Sequence, residues 1–87
     1  MPTKMTAAEL KHLIQIRMNA LADVEADGER LIAHDVEWHA PDESGRNWDM
    51  DGYLGPADYA TEVRVLVNSM RREYWLADER ARYWTSP

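Results

Sequence analysis

The chain has 87 residues, no cysteine, no phenylalanine, four tryptophans and a formal charge of −6. That length sets one small domain with a modest core, the kind that gains from a partner chain, and the missing cysteines exclude disulfides, which fits a reducing cytoplasm. The acidic balance disfavours direct binding to nucleic-acid phosphates, and no apolar run approaches the roughly 18 residues of a membrane span.

The N-terminal Met-Pro-Thr-Lys-Met-Thr lacks the apolar stretch of a secretory signal, so a soluble cytoplasmic protein is expected. Two lysines against eight arginines suggest a bacterial or phage genome rich in G and C. The charge is unevenly spread. Residues 23–62 carry twelve acids against Arg30 and Arg46, whereas residues 1–22 and 63–87 are mildly basic. An acidic middle suits a cation or a basic partner surface.

The first element is a helix over about residues 7–33. Thr6 and Glu9 have the spacing of a capping box, and Met5 with Leu10 that of a hydrophobic staple. Leu10, Ile14, Arg17, Leu21, Val24, Gly28 and Leu31 then follow at alternating steps of four and three, with Leu13, Met18 and Ile32 widening the stripe. Gly28 is the weak point, since glycine costs about 1 kcal/mol relative to alanine inside a helix. It marks a kink or a break.

The middle segment, residues 34–55, admits two ordered readings. In one, Val36, Trp38 and Ala40 alternate as a strand, "PDESGR" turns, and Trp48 with Met50 returns as its partner. In the other, "NWDMDGYLGPAD" wraps a cation. Its acidic or amide side chains at positions one, three, five and twelve, with glycine at six, resemble an EF-hand loop. That resemblance implies Asn47, Asp49, Asp51, the Tyr53 carbonyl and Asp58 as ligands of a weakly held calcium ion. It departs in using Asn at the first position and Asp at the twelfth, as dockerin-type loops do at the latter, and "APDESGR" is no entering helix. The plainer expectation is ordinary turn chemistry before a helix, with no resident cofactor.

The last element is a helix over about residues 56–84, opened by Pro56 in its first turn. Val63, Val67, Met70, Tyr74, Ala77, Ala81 and Trp84 keep the helical spacing, and no Gly or Pro interrupts residues 57 to 84. The whole therefore reads as an all-α or mostly α domain. Two long helices form an antiparallel hairpin, joined by a Trp-containing middle that accommodates a short β-hairpin. Arg17 falls on the helix seam within reach of Glu73 and Asp78. Apolar residues left outside that seam predict self-association.

Chemistry-bearing patterns are sparse. Ser44 and Ser69 have no histidine nearby in sequence, there is no Gly-rich phosphate cradle, and His34 and His39 are five residues apart with no cysteine to complete a zinc site. An enzyme is not expected. Basic and aromatic residues interleave in "MRREYWLADERARYW", and Arg, Trp and Tyr dominate interface hot spots. Arg71, Arg72, Trp75 and Arg82 are the candidate interaction surface. The expected function is a protein–protein interaction module with an unidentified protein partner, forming a homo-oligomer and touching neither nucleic acid nor membrane. The competing reading is an acidic inhibitor that mimics nucleic acid and occupies a basic protein surface, through acids such as Asp23, Asp27, Asp35 and Asp42.

Overall fold

The computed structural model describes residues 3–77. They form a strand β1 (Thr3–Met5), helices α1 (Ala7–Asn19) and α2 (Ala22–Ala26), and strands β2 (Ile32–Ala33), β3 (Glu37–Trp38), β4 (Trp48–Asp49) and β5 (Tyr53–Leu54). A 3-10 turn (Ala57–Tyr59) leads into helix α3 (Ala60–Glu73), and the chain continues as strand β6 (Tyr74–Leu76). The expected long two-helix hairpin is therefore corrected: the helices are shorter, and strands occupy parts of the middle segment and Tyr74–Leu76 within the expected second helix.

The start of α1 follows its sequence. Thr6 Oγ1 accepts the Glu9 N–H at 3.1 Å and Glu9 Oε1 accepts the Thr6 N–H at 3.0 Å, closing the capping box. Leu10, Ile14 and Met18 are buried along one face. The helix expected to reach residue 33 stops at Asn19, because Leu21 is extended (φ −60, ψ 136) and turns the chain into the short α2. Only Val24 of α2 is buried. Gly28 has φ +68 and ends the helical stretch, whereas the break into two helices falls earlier, at Ala20 and Leu21.

The middle segment is an antiparallel hairpin of one constant pairing. Ile32 lies opposite Leu54, Ala33 opposite Tyr53, Glu37 opposite Asp49, and Trp38 opposite Trp48. The turn is held by Asp42, whose Oδ1 accepts from the N–H groups of Ser44 and Arg46 and from the Ser44 hydroxyl, while Gly45 takes φ +81. Between the two halves the ladder is interrupted, and the inward face changes parity. Leu31 and Ala33 are buried while Ile32 and Leu54 face out; beyond the bend Trp48 and Met50 are buried, with Val36 and Trp38 packed against the core.

Helix α3 buries Val63, Val67 and Met70, the first half of the expected stripe. From Tyr74 to Ala77 the chain is not helical, and Ala81 and Trp84 lie outside the described residues. Tyr74 takes φ −128 and ψ 144, and Tyr74–Leu76 pairs in parallel with Thr3–Met5. The core includes Trp48, the largest fully buried side chain, together with buried residues of α1 and α3.

Side chains satisfy strand edges that have no neighbouring strand. Asn19 accepts the Leu31 N–H (2.8 Å) and donates to the Leu31 carbonyl (2.9 Å), and Gln15 accepts the Ala33 N–H (2.7 Å) and donates to the Leu31 carbonyl. One turn apart on α1, these two amides act as a strand for the outer edge of β2. Asn47 does the same for β6, accepting the Leu76 N–H at 3.0 Å and donating to the Leu76 carbonyl at 2.8 Å. On α3, Arg64 donates to the Met50 carbonyl (2.8 Å) and Arg71 to the Trp48 carbonyl (2.7 Å).

Candidate functional site

The residues aligned with a calcium loop are drawn apart by the hairpin. Asn47 is buried and bonded to Leu76. Asp49 Oδ1 accepts from Arg64 at 2.9 Å and from the Met50 N–H at 2.7 Å. Burial pushes the Asp49 pKa up, but the Arg64 guanidinium, the Met50 N–H and the more distant charge of Arg71 together bring it below the ordinary carboxylate value. Asp51 faces His34 across the strands at 3.0 Å, Tyr53 pairs with Ala33 and bonds through its hydroxyl to the Pro56 carbonyl, and Asp58 lies in the 3-10 turn. Among the described residues no group of three or more His, Asp or Glu side chains is placed to hold a metal ion.

The expected Arg–Trp surface is also divided. Arg71 is drawn inward, its side chain 14% exposed, against the Trp48 carbonyl with Asp42 at 3.6 Å. Arg72 is exposed in the last turn of α3. Trp75 is half-buried on β6, paired with Lys4 and lying against the Gly45 turn, so it extends no helical face. Arg82 lies outside the described residues. The seam arginine fares better. Arg17 reaches Glu73 at 3.0 Å, donates to the Tyr74 hydroxyl at 3.0 Å, and lies 5.6 Å from the centre of that ring. Its guanidinium pKa is raised chiefly by Glu73, which is the behaviour of a register-fixing ion pair.

What the fold does assemble is a surface that the helical reading does not show. Four large apolar side chains stand exposed, Ile16 (53%), Ile32 (51%), Leu54 (61%) and Val65 (64%), and the first three share one side of the molecule. Ile32 and Leu54 are cross-strand neighbours in an open depression of about 420 Å³ that Lys11, His34, Asp35 and Asp51 also line. Ile16 lines an adjoining depression of about 510 Å³ with Gln15, Glu29 and Arg30. The two meet along the α1–β2 seam, since Lys11 and Gln15, one turn apart, stand one in each. Compared with protein-family models, curated proteins and solved structures, the chain matches none.

The polar groups of this face are arranged in pairs. Lys11 Nζ meets Asp35 Oδ1 at 2.7 Å, and the ammonium holds the Asp35 carboxyl below its ordinary value. His34 Nδ1 lies 3.0 Å from Asp51 Oδ1 and fixes the bend where the hairpin changes parity. A second feature lies on α2 and the start of α3. Tyr59 donates to Asp27 Oδ2 at 2.5 Å, and that bond, with burial and the charges of Asp27, Glu29 and Asp58, raises the phenol pKa. Glu62 lies beside Asp23, and this neighbour, with burial and the charge of Asp27, pushes its carboxyl above the ordinary range.

Ile32 was visible in the sequence as part of a helical stripe, whereas Ile16 carried no signal. A single apolar residue in a polar stretch gains meaning only from the neighbours that tertiary structure gives it.

Proposed function

We propose that the protein is a small protein–protein interaction module whose contact surface is the face built by α1, β2 and β5. The observation that carries this reading is the gathering of Ile16, Ile32 and Leu54, three of the four exposed large apolar side chains among the described residues, on one charged-rimmed face. Scattered exposed apolar residues are ordinary, but a contiguous patch edged by polar groups marks a contact site in soluble proteins. Parity makes the point sharper. The bend at residues 34–36 turns Ile32 and Leu54 outward, where the alternation of the other hairpin half turns Trp48 and Met50 inward.

The test is a pair of baits. Ile32→Glu with Leu54→Glu changes two exposed side chains and should leave the far-ultraviolet spectrum and melting curve close to those of the parent. Purified partners that bind the parent should bind this variant at least about tenfold more weakly, a loss of roughly 1.4 kcal/mol. Unchanged binding by a correctly folded double variant removes the reading.

The acidic cluster supports a second reading, an inhibitor that occupies a basic protein surface. Asp23, Asp27 and Glu62 lie together, and among the described residues they have no arginine or lysine ion-pair partner of the kind that Asp35, Asp42 and Asp49 each have. Of the acids expected to serve this role, Asp35 and Asp42 are engaged by Lys11 and Arg71, so the contact would fall on Asp23 and Asp27. Neutralising Asp23, Asp27 and Glu62 together should then abolish a salt-sensitive complex. A complex that ignores both that change and added salt contradicts it.

A further inference from the structure

We propose that His39 is a proton-sensitive latch: its neutral ring holds the hairpin tip against Arg71 of α3, and protonation releases the tip. What faces each ring nitrogen fixes the tautomer. His39 Nδ1 lies 2.8 Å from the Ala40 carbonyl, which can only accept, so Nδ1 carries the hydrogen. Nε2 lies 3.4 Å from the Arg71 guanidinium, which can only donate, so Nε2 is the bare acceptor. A second proton must therefore enter at Nε2. It turns the acceptor into a donor and sets two cations against each other where a hydrogen bond stood. Arg71 is the anchored member, with its side chain 14% exposed and its Nε donating to the Trp48 carbonyl at 2.7 Å. The tip is the part that gives way.

Two carboxylates stand near this contact. Asp42 of the turn lies 3.6 Å from Arg71, while its Oδ1 is committed to Ser44 and Arg46. Asp49 of β4 is paired with Arg64 at 2.9 Å. The Ser44 hydroxyl, the Arg46 N–H, the Ser44 N–H and the charge of Arg71 outweigh desolvation and hold the Asp42 carboxyl below its ordinary value. Asp49 is lowered as well, so both stay ionised while a histidine changes charge between about pH 8 and 5. The latch also has an output. The Trp75 ring lies against Gly45 at the tip, 3.5 Å from where a Cβ would stand. Lifting the tip bares that half-buried tryptophan.

Nitrogen–proton spectra of the full chain test this between about pH 8 and 5, the window of histidine. At the upper end the His39 ring should carry its hydrogen on Nδ1. On acidification the amides of Ser44, Gly45 and Arg46 should shift in step with that ring. A water-soluble paramagnetic probe should broaden the Trp75 indole signal more in acid than at the upper end. His39→Gln keeps an acceptor for Arg71 and gains no proton, so it should fold like the parent and lose both changes. His12→Gln and His34→Gln, which replace the other two histidines, should keep them. A His39 ring with its hydrogen on Nε2, or shifts without added broadening at Trp75, overturns the proposal. So does a response that survives in His39→Gln, or one that begins only below about pH 4, in the carboxylate range.

Discussion

Asn47 shows how differently one residue reads in sequence and in structure. At position one of an apparent calcium loop it is a weak ligand; in the fold it is a buried amide bonded to both backbone groups of Leu76. Asn47→Ala would strand a donor and an acceptor in the interior, which costs about 2–4 kcal/mol. A melting temperature lower by roughly 8–32 °C is expected, at about 4–8 °C per kcal/mol for a domain of this size. Asn47→Asp separates the two accounts directly. It improves a calcium loop, but here it puts a carboxylate against the Leu76 carbonyl, so it should destabilise the protein with or without millimolar calcium. Calcium-dependent stabilisation of that variant would restore the loop. Arg17 was legible because its seam position and its acidic neighbour Glu73 are both sequence facts. Asn47 was not, because it belongs to no periodic stripe that would place it against Leu76.

Glu62 carries the pH dependence of the acidic cluster. Asp23 raises its folded pKa above the unfolded value, so the folded state binds the proton more tightly. The associated stability is fully present below the unfolded pKa and is lost as pH rises through the folded one. Glu62→Gln should therefore raise the melting temperature at neutral pH, and the gain should vanish below about pH 4, near the ordinary glutamate value. A gain that persists in acid would locate its cause elsewhere. Asp35, Asp42 and Asp49 have the opposite sign: their pKa values are lowered, so their contributions are present above the unfolded value and lost as pH falls through the folded values.

At the scale of elements, both helix starts were legible and both ends were misplaced. The capping box is local, and so is the turn chemistry at Pro56. The ends are decided by distant partners. Tyr74, Trp75 and Leu76 continue a helical stripe, yet Tyr and Trp suit strands equally. With Met5 accepting the Ala77 N–H at 2.8 Å on one side and Asn47 bonding Leu76 on the other, the strand wins. The hairpin was half legible. One of the two readings of the middle segment returns Trp48 and Met50 as the partner strand of Val36, Trp38 and Ala40, and in the structure Trp38 lies opposite Trp48. The β2–β5 extension was hidden, because the parity change at residues 34–36 makes "LIAHDVEW" follow neither period two nor 3.6. Gly28→Ala decides the fate of the first helix by its sign. Within a continuous helix it would stabilise by about 1 kcal/mol. At φ +68, with open space around it, it should instead destabilise by about 1 kcal/mol, measured by urea unfolding. A stabilised variant would return the long helix.

At the scale of the molecule, helices and strands are joined as much by side chains as by a shared core. Gln15 and Asn19 bind α1 to β2, Arg64 and Arg71 bind α3 to the second hairpin strand, and Asn47 binds the hairpin to β6. Among the described residues no buried side-chain donor or acceptor lacks a partner. No helix among them is long and apolar enough to cross a membrane. Removing both α1 amides, Gln15→Ala with Asn19→Ala, should expose the Leu31 and Ala33 edge and cost several kcal/mol, about 1–3 for each backbone group left unpaired. Amide exchange at Leu31 and Ala33 should accelerate more than at Val63 and Val67. Equal acceleration everywhere would mean that the amides hold no edge.

The proposed contact surface is the outward face of α1, β2 and β5, and, with self-association expected, a dilution series of two-dimensional amide spectra of the full chain examines it most directly. Between dilute and concentrated solution, shifts should concentrate at Ile16, Arg30, Ile32 and Leu54, with little change at the exposed Val65 or along α2. Spectra that do not change with concentration, or changes gathered around Val65, would contradict the account.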